Sequence, residues 1–175
     1  MRNALSDRAM AELIVGSWRI AGTNLPLWSS GRRLQPRIRY EPAGEHPLQL
    51  HETVSFLDAD GADHEIDGTD RYRDGVFTRR GCGLLRLARS IWWMTNADSS
   101  GSVLVIRRAG ERRTAAPTPP GGRPRRGRGA GIDVLERADA AVDARAVVAA
   151  NASAFDLGPE EFATLDWLAE GPSAS

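Results

Sequence analysis

Gly16-Ser17-Trp18 constrains this chain more than any other feature. It lies inside Leu13-Ile14-Val15-Gly16-Ser17-Trp18-Arg19-Ile20-Ala21-Gly22-Thr23-Asn24, the first of many short strand-like segments. Glycine has no Cβ, so the chain can bend there and another backbone can pass close. Trp18, two residues on, shares the face of Gly16. A large flat side chain at that point can plug one end of an up-and-down barrel and leave the other end open.

The rest of the chain repeats the strand signal. Residues 14–24, 37–42, 48–57, 64–73, 76–80, 90–95, 102–106 and 132–137 read as strands, separated by short turns and one long loop over 25–36. Asp74-Gly75 is a tight hairpin signal, and Gly81-Cys82-Gly83 suggests a bulge or break. Residues 5–12 read as a short helical turn, 139–153 as an amphipathic helix, and 159–169 as a last helix opened by Pro159. Short strands at regular spacing followed by a helix predict an all-β fold: an eight-stranded antiparallel up-and-down barrel with a C-terminal flanking helix.

One domain is expected over residues 1–175, long enough to bury a core. Residues 107–131 interrupt the pattern, with eight Arg, four Pro and six Gly. Three readings stay open there: a disordered loop, a basic docking arm for RNA or an acidic lipid surface, and a compensated frameshift. Formal charge is zero, so no bulk field selects a nucleic acid. All 23 basic residues are Arg, which excludes a Schiff-base lysine mechanism. Cys82 is the only cysteine, so no intrachain disulfide can form. The N-terminal residues lack an apolar signal core, and no apolar run is long enough to span a membrane; a cytoplasmic protein is expected.

Gly16-Ser17-Trp18, about eight strands, Arg137 at the end of Ile132-Asp133-Val134-Leu135-Glu136-Arg137, and the helix after it together resemble the lipocalin family, its bacterial members most of all. The similarity covers about residues 10–157. It implies that Trp18 lies at the barrel base with Arg137 packed over it, a structural cation–π pair. The family's middle Thr-Asp-Tyr motif has no clear match: Thr69-Asp70 is followed by Arg71, and Tyr72 comes one residue late.

Alternation assigns the faces of the strands. Leu48, Leu50, Glu52, Val54 and Phe56 share the side expected to face the lumen, as do Ile38 and Tyr40, and as do His64, Ile66, Gly68, Asp70 and Tyr72. Either Trp92 or Trp93 turns inward; Trp93 is taken as the lumen residue. The expected ligand-binding set is Asn24, Trp28, Tyr40, Glu52, Phe56, Asp70, Tyr72 and Trp93, a mostly apolar cavity with a few polar anchors. Trp28, on the long loop, either covers the mouth, with Arg32 and Arg33 meeting an acidic group of the ligand, or packs on the rim or a dimer partner. Glu52 and Asp70 are the acid and base if the barrel is an enzyme; otherwise they are paired internally with Arg80, Arg86 or a tyrosine.

His46, His51 and His64 are too widely spaced for a metal site, and no phosphate loop, dinucleotide fingerprint or nucleophile elbow occurs, so neither metal nor cofactor is expected. The expected function is binding of a small hydrophobic molecule in the barrel. The alternative is a cyclase or isomerase of specialised metabolism that folds a reactive substrate in the same pocket. Whether chemistry occurs is open, as is a homodimer; nucleic acid is not an expected partner.

Overall fold

The computed structural model describes residues 5–82, 89–109 and 131–169. Helix α1 (Asp7–Ile14) leads into strand β1 (Gly16–Thr23), and a single turn, α2 (Pro26–Ser29), follows it. Strands β2 (Arg33–Glu45), β3 (Leu48–Asp58), β4 (Asp63–Arg73), β5 (Val76–Gly81), β6 (Arg89–Ala97), β7 (Val103–Ala109) and β8 (Gly131–Arg137) come next. Helix α3 (Ala144–Ala150), a 3-10 turn (Ala152–Phe155), helix α4 (Pro159–Ala163) and a two-residue strand β9 (Asp166–Trp167) complete it. Consecutive strands pair antiparallel, β8 pairs with β1, and β1 pairs back with β2, closing an eight-stranded barrel as expected. β9 continues the β2 side of β1 at Gly22 and Thr23.

Two apolar layers flank the barrel wall. Trp18, Ile20, Ile38, Tyr40, Leu50, Tyr72, Phe77, Trp92, Leu104, Ile106 and Leu135 pack inside with α1. Ala21, Val103, Val105, Ile132 and Val134 face out beneath α3, Phe155, Leu157 and Leu165. One end is shut. Trp18 is fully buried and its Nε1–H donates to Ile14 O at 2.7 Å, while the Tyr72 hydroxyl donates to Leu5 O at 2.9 Å. The Arg137 guanidinium lies 4.1 Å over the Trp18 ring and donates to the Val15 and Leu13 carbonyls at 2.6 and 2.8 Å. Gly16 carries φ +127°, and a Cβ there would run into that guanidinium, so the position suits only glycine. The Asp74-Gly75 turn has φ 52° and 85°, the backbone of a tight hairpin.

Several element limits differ from the sequence reading. β2 begins at Arg33, within the segment read as loop, because that stretch pairs with the upper half of β3. The flanking helix opens only at Ala144, where the Asp143 side chain caps it by accepting from Ala146 N at 3.0 Å. The last helix stops at Ala163, and the chain turns back to lay Trp167 against Gly22. The interruption is also shorter than 107–131. Arg107 and Arg108 extend β7, since Arg107 turns outward onto Glu161 and Arg108 inward onto Asp133, and Gly131 opens β8. The remainder of that stretch, 110–130, lies outside the described residues.

Candidate functional site

The barrel interior divides at Trp92. Below it the space is filled: Phe77 stacks on Trp92 with ring centroids 4.0 Å apart, Tyr72 lies 4.8 Å from Phe77, and Tyr40 lies 5.5 Å from Trp92. Above it the inward positions are small or slender: Val54, Ile66, Gly68, Gly81 and Ser90. Ile66 and Ser90 face inward yet stay half-buried, so solvent reaches into this upper cup.

A charged layer forms the floor of the cup. Glu52 is fully buried; Arg79 Nε donates to its Oε2 and the Tyr40 hydroxyl to its Oε1 at 3.5 Å. Gly68 is opposite Glu52 in the ladder, and a Cβ on it would come within 2.9 Å of the Arg79 guanidinium. The missing side chain is what lets Arg79 cross to Glu52. On the opposite wall, Arg108 Nε donates to Asp133 Oδ2 and the Thr23 hydroxyl to Asp133 Oδ1, each at 2.7 Å. Burial works against charge on Arg108, but Asp133, Tyr40 and Glu52 outweigh it and hold its pKa above the usual arginine value. Tyr40 is pushed well above the ordinary phenol range by burial, then by the Glu52 and Asp70 carboxylates.

Asp70 is the unfinished member. Trp92 Nε1–H donates to its Oδ1 at 2.6 Å, whereas Oδ2 is buried without a partner. Burial first, then the Glu52 charge, push its pKa up to about 8 against the pull of Trp92, Arg79 and Arg108. Asp70 therefore keeps its proton to a higher pH than an ordinary carboxylate does.

The rim is aromatic. Trp28, on α2, is 5% exposed and meets Phe56 edge-on at 6.2 Å. The Arg33 guanidinium sits 4.5 Å from the Phe56 ring centre and 5.8 Å from that of Trp28. Phe56 also stacks on His64, which pairs with Asp58 at 2.8 Å. Trp28 Nε1 is a second buried polar atom with no partner.

Of the residues expected to hold a ligand, Tyr40, Glu52 and Asp70 meet in the charged layer, and Phe56 and Trp28 meet at the rim. Asn24 is at the rim too, but its Oδ1 is tied to Ile132 N at 2.8 Å, pinning β1 to β8. Tyr72 faces inward beneath the Trp92 floor, bonded to the chain ahead of α1. Trp93 requires correction. Trp92 pairs with inward Phe77 and takes the lumen face, so Trp93 turns outward and lines an external groove of about 430 Å³ with Met10, Met94 and Asn96. The internal partner of Glu52 is Arg79 and not Arg80, which alternation places on the exposed outer face; Arg86 lies outside the described residues.

Arg79, Arg108, Asp133, Thr23 and Trp92 were missing from the expected set. The Asp74-Gly75 hairpin contained the signal for Arg79, since a two-residue turn sets Tyr72 opposite Phe77 and Asp70 opposite Arg79. His46, His51 and His64 each pair with a different acid, Asp7, Asp67 and Asp58. Among the described residues no group of three or more His, Cys, Asp or Glu could hold a metal ion, and no helix is long and apolar enough to cross a membrane.

No protein-family model matches the sequence, and no curated protein matches it. Solved structures do match. The siderocalin Ex-FABP, described as functioning through dual ligand specificities, shares 15% identity over 92% of this chain and 97% of its own, with a TM-score of 0.58. Apocrustacyanin C1 shares 15% identity over 98% of this chain and 90% of its own, with a TM-score of 0.60. Lobster apocrustacyanin A1 gives 12% identity, the same coverage and a TM-score of 0.60. At such identities the likeness is one of fold: this chain has the lipocalin-like barrel of these proteins.

Proposed function

We propose that this protein binds a small, largely apolar molecule in the upper cup of the barrel, with its polar end toward the charged layer. The observation that carries the reading is the division of the interior at Trp92. Large rings fill the lower half, while the upper half is walled by Val54, Ile66, Gly68, Gly81 and Ser90 and admits solvent. Apolar walls, a few fixed polar groups and one open end are how small-molecule sites are built, and an eight-stranded barrel has room for one such ligand. Phe56 and Trp28 supply apolar contact at the rim. Native mass spectrometry of the purified protein, before and after incubation with an extract of apolar metabolites, tests the reading. A bound species of defined mass, lost when Ser90 is replaced by Trp to fill the cup, supports it. A protein that carries nothing and takes up nothing refutes it.

One observation favours catalysis in the same cup as a second reading. Asp70 holds its proton near neutral pH beside the ionic Glu52–Arg79 pair, which gives an isomerase or cyclase a general acid. On that reading Asp70→Asn retains the bound species and abolishes its conversion. Equal conversion by both proteins removes Asp70 from any such role.

A further inference from the structure

In the charged layer, donors face the cup and acceptors face the wall. The carboxylates of Glu52 and Asp133 have 0% side-chain exposure, whereas their partners Arg79 and Arg108 keep 15% and 14%. Both arginines project inward: Arg79 alternates with Phe77 and lies opposite Ser90, and Arg108 alternates with Ile106 and bonds inward Asp133. Among the described residues, each guanidinium gives only its Nε to a carboxylate. An arginine carries five N–H donors, so the terminal nitrogens are the part that solvent meets. Trp28 Nε1, buried and unpartnered above them, is a further donor. The accepting atoms of Glu52 and Asp133 are committed to these arginines, to Thr23 and to Tyr40, and Asp70 gives one oxygen to Trp92 and keeps Oδ2 without a partner.

The two ion pairs of this layer are each internally matched. Glu52 is matched by Arg79, and Asp133 by Arg108. A ligand bearing a full charge would disturb that balance in a site of low dielectric, where an uncompensated charge is costly. We infer that the cup recognises a neutral apolar molecule through a carbonyl oxygen, held between the terminal nitrogens of Arg79 and Arg108. This rests on the reading of the cup as a ligand site and assigns its ligand a chemical class. A carbonyl accepts two hydrogen bonds, carries no charge, and gains most from donors that are already fixed in place. Gly68 belongs to the device, since it gives Arg79 the room to lie flat across the floor.

The test uses a neutral acylated dimethylaminonaphthalene dye, whose emission moves to the red when its carbonyl accepts hydrogen bonds. Two analogues accompany it, one with the acyl group replaced by alkyl and one with a carboxylate. The acyl dye is expected to bind at least about tenfold more tightly than the alkyl analogue, with red-shifted emission, and more tightly than the carboxylate. Because Arg79→Met alone strands a buried carboxylate, the variants are the paired Arg79→Met/Glu52→Gln and Arg108→Met/Asp133→Asn. Each is expected to bind the alkyl analogue as the parent does and to lose the preference for the acyl dye. If acyl and alkyl dyes bind the parent equally, or the variants keep the preference, the carbonyl assignment falls and the cup remains a ligand site. Preference for the carboxylate overturns the charge argument. If none of the three binds, the cup is not a ligand site and both readings fall together.

Discussion

Asp70→Asn should change how stability responds to pH more than it changes stability itself. An aspartate in an unfolded chain titrates near ~3.9. In the folded barrel Asp70 titrates at about 8, driven by burial and then by the Glu52 charge. Between those values the folded state holds one more proton than the unfolded state. Stability contributed by this group is therefore complete at low pH and declines as pH rises through the window, at ~1.4 kcal/mol per pH unit. The whole window spans about four units, so the loss is on the order of 5 kcal/mol, and above pH 8 it levels off. Asparagine is neutral throughout, still accepts from Trp92, and offers an amide where Oδ2 has no partner. Urea unfolding of parent and variant, followed by tryptophan fluorescence between about pH 5 and pH 9, isolates the effect. Asp58, Asp98 and Glu161, whose pKa values are lowered, titrate below this range and do so alike in both proteins. The difference curve should tilt in favour of the variant as pH rises and flatten near pH 8. Parallel curves would show that Asp70 ionises as an ordinary carboxylate, and the description of the charged layer would be wrong.

Other outcomes follow from the same geometry. Trp18→Ala removes a fully buried ring from the barrel base and should cost ~3–5 kcal/mol in chemical unfolding; a change under ~1 kcal/mol would mean the base is not held by that ring. Arg79→Met should cost ~3–5 kcal/mol by stranding Glu52, and adding Glu52→Gln should recover most of it; additive losses in that double-mutant cycle would deny the pair. Gly68→Ala should resemble Arg79→Met in stability, because the new methyl displaces the guanidinium; a neutral effect would mean Arg79 reaches Glu52 by another path. Glu161→Gln should weaken the attachment of α4 to β7, and the parent should lose that contribution as pH falls through about 2, where Glu161 titrates beside Arg107; acid unfolding curves that coincide would exclude it.

Local chemistry made the barrel legible. Gly16 and Trp18 mark its closed end because one needs a rare backbone conformation and the other fills a cross-section. Alternation along β3 and β4 was unambiguous, so Glu52 and Asp70 could be placed inside from the pattern alone. Alternation fails where both faces are apolar: Ile91, Trp92, Trp93 and Met94 offer two equally plausible sets, and only the register with Phe77 decides between them. Composition misleads where a strand ends in arginines. Arg107 and Arg108 resemble the segment after them until Glu161 and Asp133 come within reach, and those partners are 54 and 25 residues away in sequence. The charged layer was half legible for that reason. Glu52 and Asp70 stand on strands with clear patterns, while Asp133 stands on β8, where both faces are buried, and Arg108 stands where pattern and composition disagree.

The plug of Trp18, Arg137 and α1 also has a kinetic meaning. On the proposed reading, a base closed among the described residues leaves the upper end as the doorway, so a molecule leaves by the route it took in. The Trp28–Phe56–Arg33 cluster hangs over that doorway. A change there that leaves the bound molecule untouched alters the forward and reverse barriers by the same amount. Uptake and release then change by the same factor, so residence time lengthens as uptake slows, and occupancy at equilibrium stays where the cup itself sets it.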